Sequence, residues 1–142
     1  MKIWFKDYKL EEITQGNKES MVSHCGIEII ELTENTLVGK MPVDERTRQP
    51  FGILHGGANC VLAETLGSIA ANLTVDPSRF HAVGLSITTN HIKAVRNGYV
   101  TGVAKSVHVG RTTQIWDIET FNANKQLTSK TSLTMAIIEK LN

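Results

Sequence analysis

A chain of 142 residues with 15 Lys and Arg against 14 Asp and Glu carries a formal net charge of +1, so no global field selects nucleic acid or an anionic membrane, and an anionic ligand has to be held locally. The length fits one domain, residues 1–142, with room for a full core, and the two cysteines, Cys25 and Cys60, form neither a disulfide framework nor a metal-binding spacing, which points to a reducing cytoplasm. Secretion and membrane insertion are not expected: residues 1–12 are interrupted by charge, and the least charged stretch, residues 49–75, is broken by Gly, Asn, His and Glu.

In chain order, residues 9–15 read as a short amphipathic helix ending near Gly16-Asn17, and residues 20–25 as a second short turn before Gly26. The pattern then becomes extended: IEIIEL, a polar turn at Thr33-Glu34-Asn35 and TLVGKMPV form a hairpin with apolar residues on one face. Residues 44–49, charged and bounded by Pro, make a surface loop leading into a Gly-rich helix mouth. A helix follows to Leu73, then a turn at Asp76-Pro77-Ser78. Residues 81–94 alternate, with Val83, Leu85, Ile87 and Thr89 on one side and Gly84, Ser86, Thr88 and Asn90 on the other. Asn97-Gly98 is a turn of the type that closes hairpins, so residues 99–109 are expected to return antiparallel. Turns at residues 109–111 and 122–125 complete an expected four-stranded meander. Two strands, a helix and four strands make an α+β arrangement, and an antiparallel sheet curled around the helix is the simplest cover for it.

The helix is the centre of this arrangement. From Gly57 to Leu73 it is rich in Ala, Gly and Ser, so neighbours can approach closely, and in all of residues 49–75 the only full charge is the carboxylate of Glu64. Ser68 lies beside Glu64 at i,i+4. Withdrawing an ionised acid from water costs roughly several kcal/mol unless it is paired, so either Glu64 reaches solvent past its small neighbours or it serves a site. Gly56-Gly57 opens the helix without side chains, offering orphan N–H donors and the positive end of the helix dipole, with His55 alongside.

The order of elements and the stretch RTRQPFGILHGGANCVLAETLGS resemble the hotdog-fold acyl-CoA thioesterases, over nearly the whole chain. The similarity is to small bacterial enzymes acting on aryl-CoA substrates, such as 1,4-dihydroxy-2-naphthoyl-CoA hydrolases, proofreading thioesterases of enterobactin assembly and phenylacetate-degradation thioesterases. It implies a curved antiparallel sheet around a long central helix. It also implies Glu64 as nucleophile or general base, Gly56 as backbone donor to the thioester carbonyl, His55 and Gln49 as its positioners, and Ser68 as an aid to the water. The segments NHIKAV and HVGRTTQIWDIE extend the resemblance. It places a coenzyme A groove at His91, Ile92, Lys93 and Ala94 and at His108, Val109, Gly110, Arg111, Thr112 and Thr113, with Gly84 and Asn90 counted among the substrate-contacting residues. Two departures, Thr88-Thr89 and Asn59-Cys60, bear on the shape of the acyl pocket.

Physical chemistry agrees with this. Thioester hydrolysis needs a polarised carbonyl and a base or nucleophile on the other side of its carbon. The first turn of one helix and its own Glu64 are too far apart to serve one carbon, so the resemblance to a composite site implies a homo-oligomer, a dimer or tetramer, with active sites at the dimer interface. No cofactor is expected, coenzyme A being part of the substrate. No metal is expected either, because His24, His81, His91 and His108 lack the paired spacing of zinc hydrolases. Lys93, Arg96 and Lys105 read as strand-end charges and Trp116 as packing. Two other functions stay open: a hotdog-fold hydratase or dehydratase, and a non-catalytic acyl-CoA binding protein.

Overall fold

The computed structural model describes residues 1–14 and 19–141. Of the first expected helix, Leu10–Thr14 (α1) is helical, and the expected end at Gln15, Gly16 and Asn17 lies outside the described residues. Met21–His24 (α2) is closed by a capping box in which Ser20 and Ser23 each accept from the other's backbone N–H. Glu28–Leu32 (β1) and Thr36–Pro42 (β2) form the expected hairpin. Its turn is pinned by Thr33, whose hydroxyl accepts from the N–H groups of Asn35 and Thr36.

Gly56–Leu73 (α3) is the long helix. It buries Ala58, Leu62, Ala63, Leu66, Ala70 and Ala71 on one half of its circumference. The strands Phe80–His91 (β3), Tyr99–Val109 (β4), Thr113–Asn122 (β5) and Leu127–Glu139 (β6) join β1 and β2 in one antiparallel sheet of order β1-β2-β4-β5-β6-β3. The helix touches β2 through β6, so the sheet curls around its buried half and leaves the half that carries Glu64 and Ser68 partly open. Trp116 is wholly buried and stacks on Trp4 at 6.3 Å between ring centres, which ties the N-terminal segment to the core.

Over β2 and β4, closeness between helix and sheet depends on a pair of glycines. Gly39 and Gly102 are cross-strand partners, and Leu66, wholly buried, straddles them. A Cβ on Gly39 would stand 2.5 Å from Leu66 Cδ2 and one on Gly102 2.7 Å from Cδ1. Gly39→Ala is therefore expected to destabilise the protein by about 1–3 kcal/mol through overpacking, and Leu66→Ala by about 2–5 kcal/mol through the cavity it leaves. Because each change relieves the other, the double variant is expected to lose less than the sum in urea unfolding; strict additivity would show that the methyl finds room elsewhere.

Three expectations about the later strands need correction. The four strands are not one meander, because β3 pairs with β6 and not with β4. The Asn97-Gly98 hairpin does not form: a two-residue turn of that kind requires left-handed φ at both positions, and Gly98 has it, at +77°, but Asn97 does not. The segment after β3 bonds instead to the loop before the helix, with Leu54 N–H donating to Val95 O, Val43 N–H to Gly98 O and Arg48 Nε to Arg96 O. These long-range bonds outweigh the local turn preference and draw the chain across the helix mouth. The alternation in residues 81–94 also breaks, because a bulge at Leu85 shifts the register between Gly84 and Ser86. Ala82 and Gly84 face the helix before the bulge, and Ile87, Thr89 and His91 after it, while Val83 and Leu85 are exposed.

Candidate active site

The loop before α3 is held at Thr47, which is 2% exposed; its hydroxyl donates to Pro42 O and accepts from Asp44 N–H. A side-chain hydrogen bond from Arg46 holds the Asp44 carboxyl below its ordinary range. His55 then caps the helix in an extended conformation, and its Nδ1 accepts from Gly57 N–H at 2.7 Å. With Nδ1 so engaged, the neutral ring carries its proton on Nε2, as an exposed donor. Gln49 Oε1 accepts from Phe51 N–H, which leaves its NH2 as the group still able to donate. Gly56 N–H, the first orphan donor of the helix, meets no acceptor among the described residues. Gln49, Gly56 and Asn59 share a cleft of about 250 Å³ with His91, Ile92, Lys93 and Ala94.

Glu64 lies in a different cleft. It is half-buried, and with Ser68 it lines a space of about 530 Å³ bounded by Val22, Thr65, Ile69, Val83 and Gly84. Gly84 leaves room for the carboxylate: a Cβ there would stand 3.4 Å from Glu64 Oε1. Among the described residues nothing donates a hydrogen bond to this carboxylate or pairs with it. Ser68 turns its hydroxyl toward Met135 Sδ at 3.8 Å and accepts from Asn72 at its carbonyl. Eight residues of helix separate Gly56 from Glu64, about 12 Å at 1.5 Å per residue, and the two clefts have no lining residue in common.

The structure thus brings some of the expected site residues together and leaves others apart. His91, Ile92, Lys93 and Ala94 wall the cleft of Gly56, whereas Gly84 belongs to that of Glu64. Asn90 is exposed and, lying between Thr89 and His91, points to the other face of β3. His55 stands at the mouth without lining either cleft. Val109, Gly110 and Arg111 lie at the opposite end of α3, in a hollow with Thr74, Asp76 and Gln114, and Gln114 Nε2 donates to the hydroxyl of Thr74, the helix C-cap. His108, Thr112 and Thr113 belong to the same turn, closed by Gly110 N–H donating to Thr113 O. The helix between the two ends has 18 residues, about 27 Å. Sequence reasoning missed Thr65 and Ile69, which helical spacing from Glu64 and Ser68 points to, and Val22 and Val95, brought in by contacts distant in sequence; Asn59 it placed only as shaping the acyl pocket.

A curved antiparallel sheet wrapped around one long central helix is the hotdog fold. Residues 51–129 match the Thioesterase superfamily, and the chain belongs to that family. It is 41% identical to the 1,4-dihydroxy-2-naphthoyl-CoA hydrolase of Escherichia coli over 96% of this chain and 99% of that one. It is 40% identical to the proofreading thioesterase EntH of Cronobacter turicensis, over 96% and 98%. A thioesterase from Haemophilus influenzae superposes with a TM-score of 0.95 at 41% identity, covering 99% of this chain and 97% of its own. Among the described residues no helix is long and apolar enough to cross a membrane.

Proposed function

We propose that the protein hydrolyses aryl- or acyl-CoA thioesters to the free acid and coenzyme A, with 1,4-dihydroxy-2-naphthoyl-CoA as the first substrate to test. The observation that supports this is the separation, on one helix, of a helix-mouth donor and a carboxylate that have no partner among the described residues, two halves of thioester chemistry too far apart to serve one carbon within a chain. Gly56 N–H, aided by the helix dipole and by the donors of Gln49 and His55, polarises the carbonyl. Glu64 of a second copy approaches from the other side, either attacking the carbon to give an acyl-enzyme anhydride or deprotonating a water that Ser68 helps to hold. Either way the C–S bond breaks and coenzyme A leaves as the thiolate; on the first route water then cleaves the anhydride to the free acid and the Glu64 carboxylate, and on the second the proton taken up by Glu64 passes to the thiolate or to solvent. Two free cysteines suit a cytoplasmic setting. Free-thiol release from a panel of aryl- and straight-chain acyl-CoAs tests the proposal. Hydration of an enoyl-CoA without thiol release, or binding without turnover, would replace it with one of the two other functions.

The same reading requires a homo-oligomer, and β3 supplies the surface. It is an edge strand with Val83 and Leu85 exposed, and Ile92 exposed just beyond it, an arrangement that invites pairing with a second copy. Sedimentation is expected to give a dimer or tetramer; a fully active monomer would rule the composite site out.

Arg111 lies about a helix length from Gly56 of its own chain, so for one ligand to touch both, the turn at residues 108–113 has to come from another copy. Arg111→Ala is expected to raise KM several-fold with kcat mostly intact, as for a contact made equally in ground and transition states. A fall in kcat at unchanged KM would contradict a role for Arg111 in binding coenzyme A.

A further inference from the structure

Asn59 lines the cleft at the helix mouth beside Gly56 and His91. Asn59, one turn into α3, is 5% exposed, and its side chain has one partner among the described residues: Nδ2 stands 3.3 Å from Nδ1 of His91. Its Oδ1 is buried with no hydrogen-bond partner. Asn is a weak helix former, and an orphaned buried acceptor is destabilising, so this position gives up stability inside the helix that carries the site. Local conflict of this kind is characteristic of functional positions.

What the conflict yields is a defined proton on His91. An amide NH2 only donates, so the ring nitrogen facing it carries a lone pair, and the proton of the neutral ring sits on Nε2. That edge of the ring lies against Gly56: a Cβ built on Gly56 would be 2.8 Å from His91 Nε2. The ring thus presents Nε2–H beside the backbone whose own N–H is unengaged, in the same cleft.

We propose that Asn59 is a positioning residue that keeps Nδ1 of His91 unprotonated, so that Nε2–H stands beside Gly56 N–H as a further donor to the thioester oxygen. The inference rests on thioester hydrolysis as proposed above, in which His91 was only a wall of the groove. Donors fixed before charge develops stabilise an oxyanion without reorganisation. The ring of His91 belongs to an exposed residue at the end of an edge strand, and Asn59 is what holds its inner nitrogen. Asp in place of Asn reverses the arrangement, because a carboxylate accepts the proton of Nδ1 and leaves a lone pair on Nε2 pointing at the substrate oxygen.

The test uses the whole protein with 15N-labelled histidine, the His91 ring being assigned by loss of its signals in His91→Gln. The expected wild-type ring has Nε2 protonated and Nδ1 unprotonated and hydrogen-bonded. Asn59→Asp is expected to move the proton to Nδ1, and Asn59→Leu to remove the hydrogen-bonded shift of Nδ1. Both variants are expected to lower kcat on an acyl-CoA roughly tenfold to a hundredfold, as misplaced catalytic groups do, with KM changed by less than about threefold. A wild-type ring protonated on Nδ1, ring signals that do not respond to either substitution, or altered ring signals with unchanged kcat would each overturn the proposal. If Asn59→Leu fails to fold, the isosteric Asn59→Asp decides. If the wild-type protein hydrolyses no acyl-CoA, the donor role of His91 falls with the hydrolytic reading, while the ring signals still decide whether Asn59 sets the proton on His91.

Discussion

Glu64→Gln is expected to lower turnover on the order of a hundredfold or more, the usual range for a lost general base, while the melting temperature holds or rises. The substitution keeps the shape and reach of the side chain and removes only the charge. In the structure that charge is half-buried, abuts Gly84 and has no partner among the described residues. Losing it breaks no ion pair and relieves a desolvation cost, the pattern of a site that trades stability for activity. A carboxylate of structural importance would give the opposite result, near-normal turnover with a lower melting temperature. Thiol-release kinetics and thermal denaturation on the same purified variant separate the two. Near-normal turnover would remove the basis for assigning thioester hydrolysis to Glu64.

Much of this was legible in the sequence because the decisive signals were local. Glu64 stands out as the one charge in residues 49–75, and the small residues around it foretold a helix that a sheet could approach closely. The hairpin of β1 and β2 and the turns at residues 109–111 and 122–125 were readable from their polar residues for the same reason. What could not be read was set by contacts distant in sequence. Asn97-Gly98 carries a strong local turn signal, yet hydrogen bonds to Leu54 and Val43 and the reach of Arg48 hold that segment over the helix mouth, so β3 joins β6. The bulge at Leu85 turned the apparent alternation of β3 around, and with it decided that His91 faces the helix. Asn59, read from the sequence as a change in pocket shape, acquired a polar role only when β3 placed His91 against it. The distance between Arg111 and Gly56 is likewise a property of topology, since both flank strands and turns whose order along the chain says nothing of which end of the helix they reach.

The separation of the two clefts leads to the second large effect, which appears when two inactive proteins are mixed. Gly56→Ala puts a methyl group 2.8 Å from Nε2 of His91, so the ring or the helix mouth has to shift, and displacement on that scale in a catalytic constellation costs roughly a hundredfold. Glu64→Gln is disabled at the other cleft. Unfolded together and refolded as a mixture, the two variants associate at random, and half the dimers are mixed. If each active site takes its helix mouth from one chain and its carboxylate from the other, a mixed dimer contains one site with both defects and one with neither. Activity is then expected to return to about a quarter of the wild-type value, by the symmetry of a two-fold interface. If instead each chain serves its own site, every site in every dimer keeps a defect and the mixture stays as inactive as its parts. Gly56 and Glu64 lie about 12 Å apart along one helix axis and line clefts with no residue in common, and no single thioester carbon reaches from one to the other. A mixture that recovers nothing, from two variants each shown to be folded and dimeric, would therefore overturn the composite site together with the mechanism built on it.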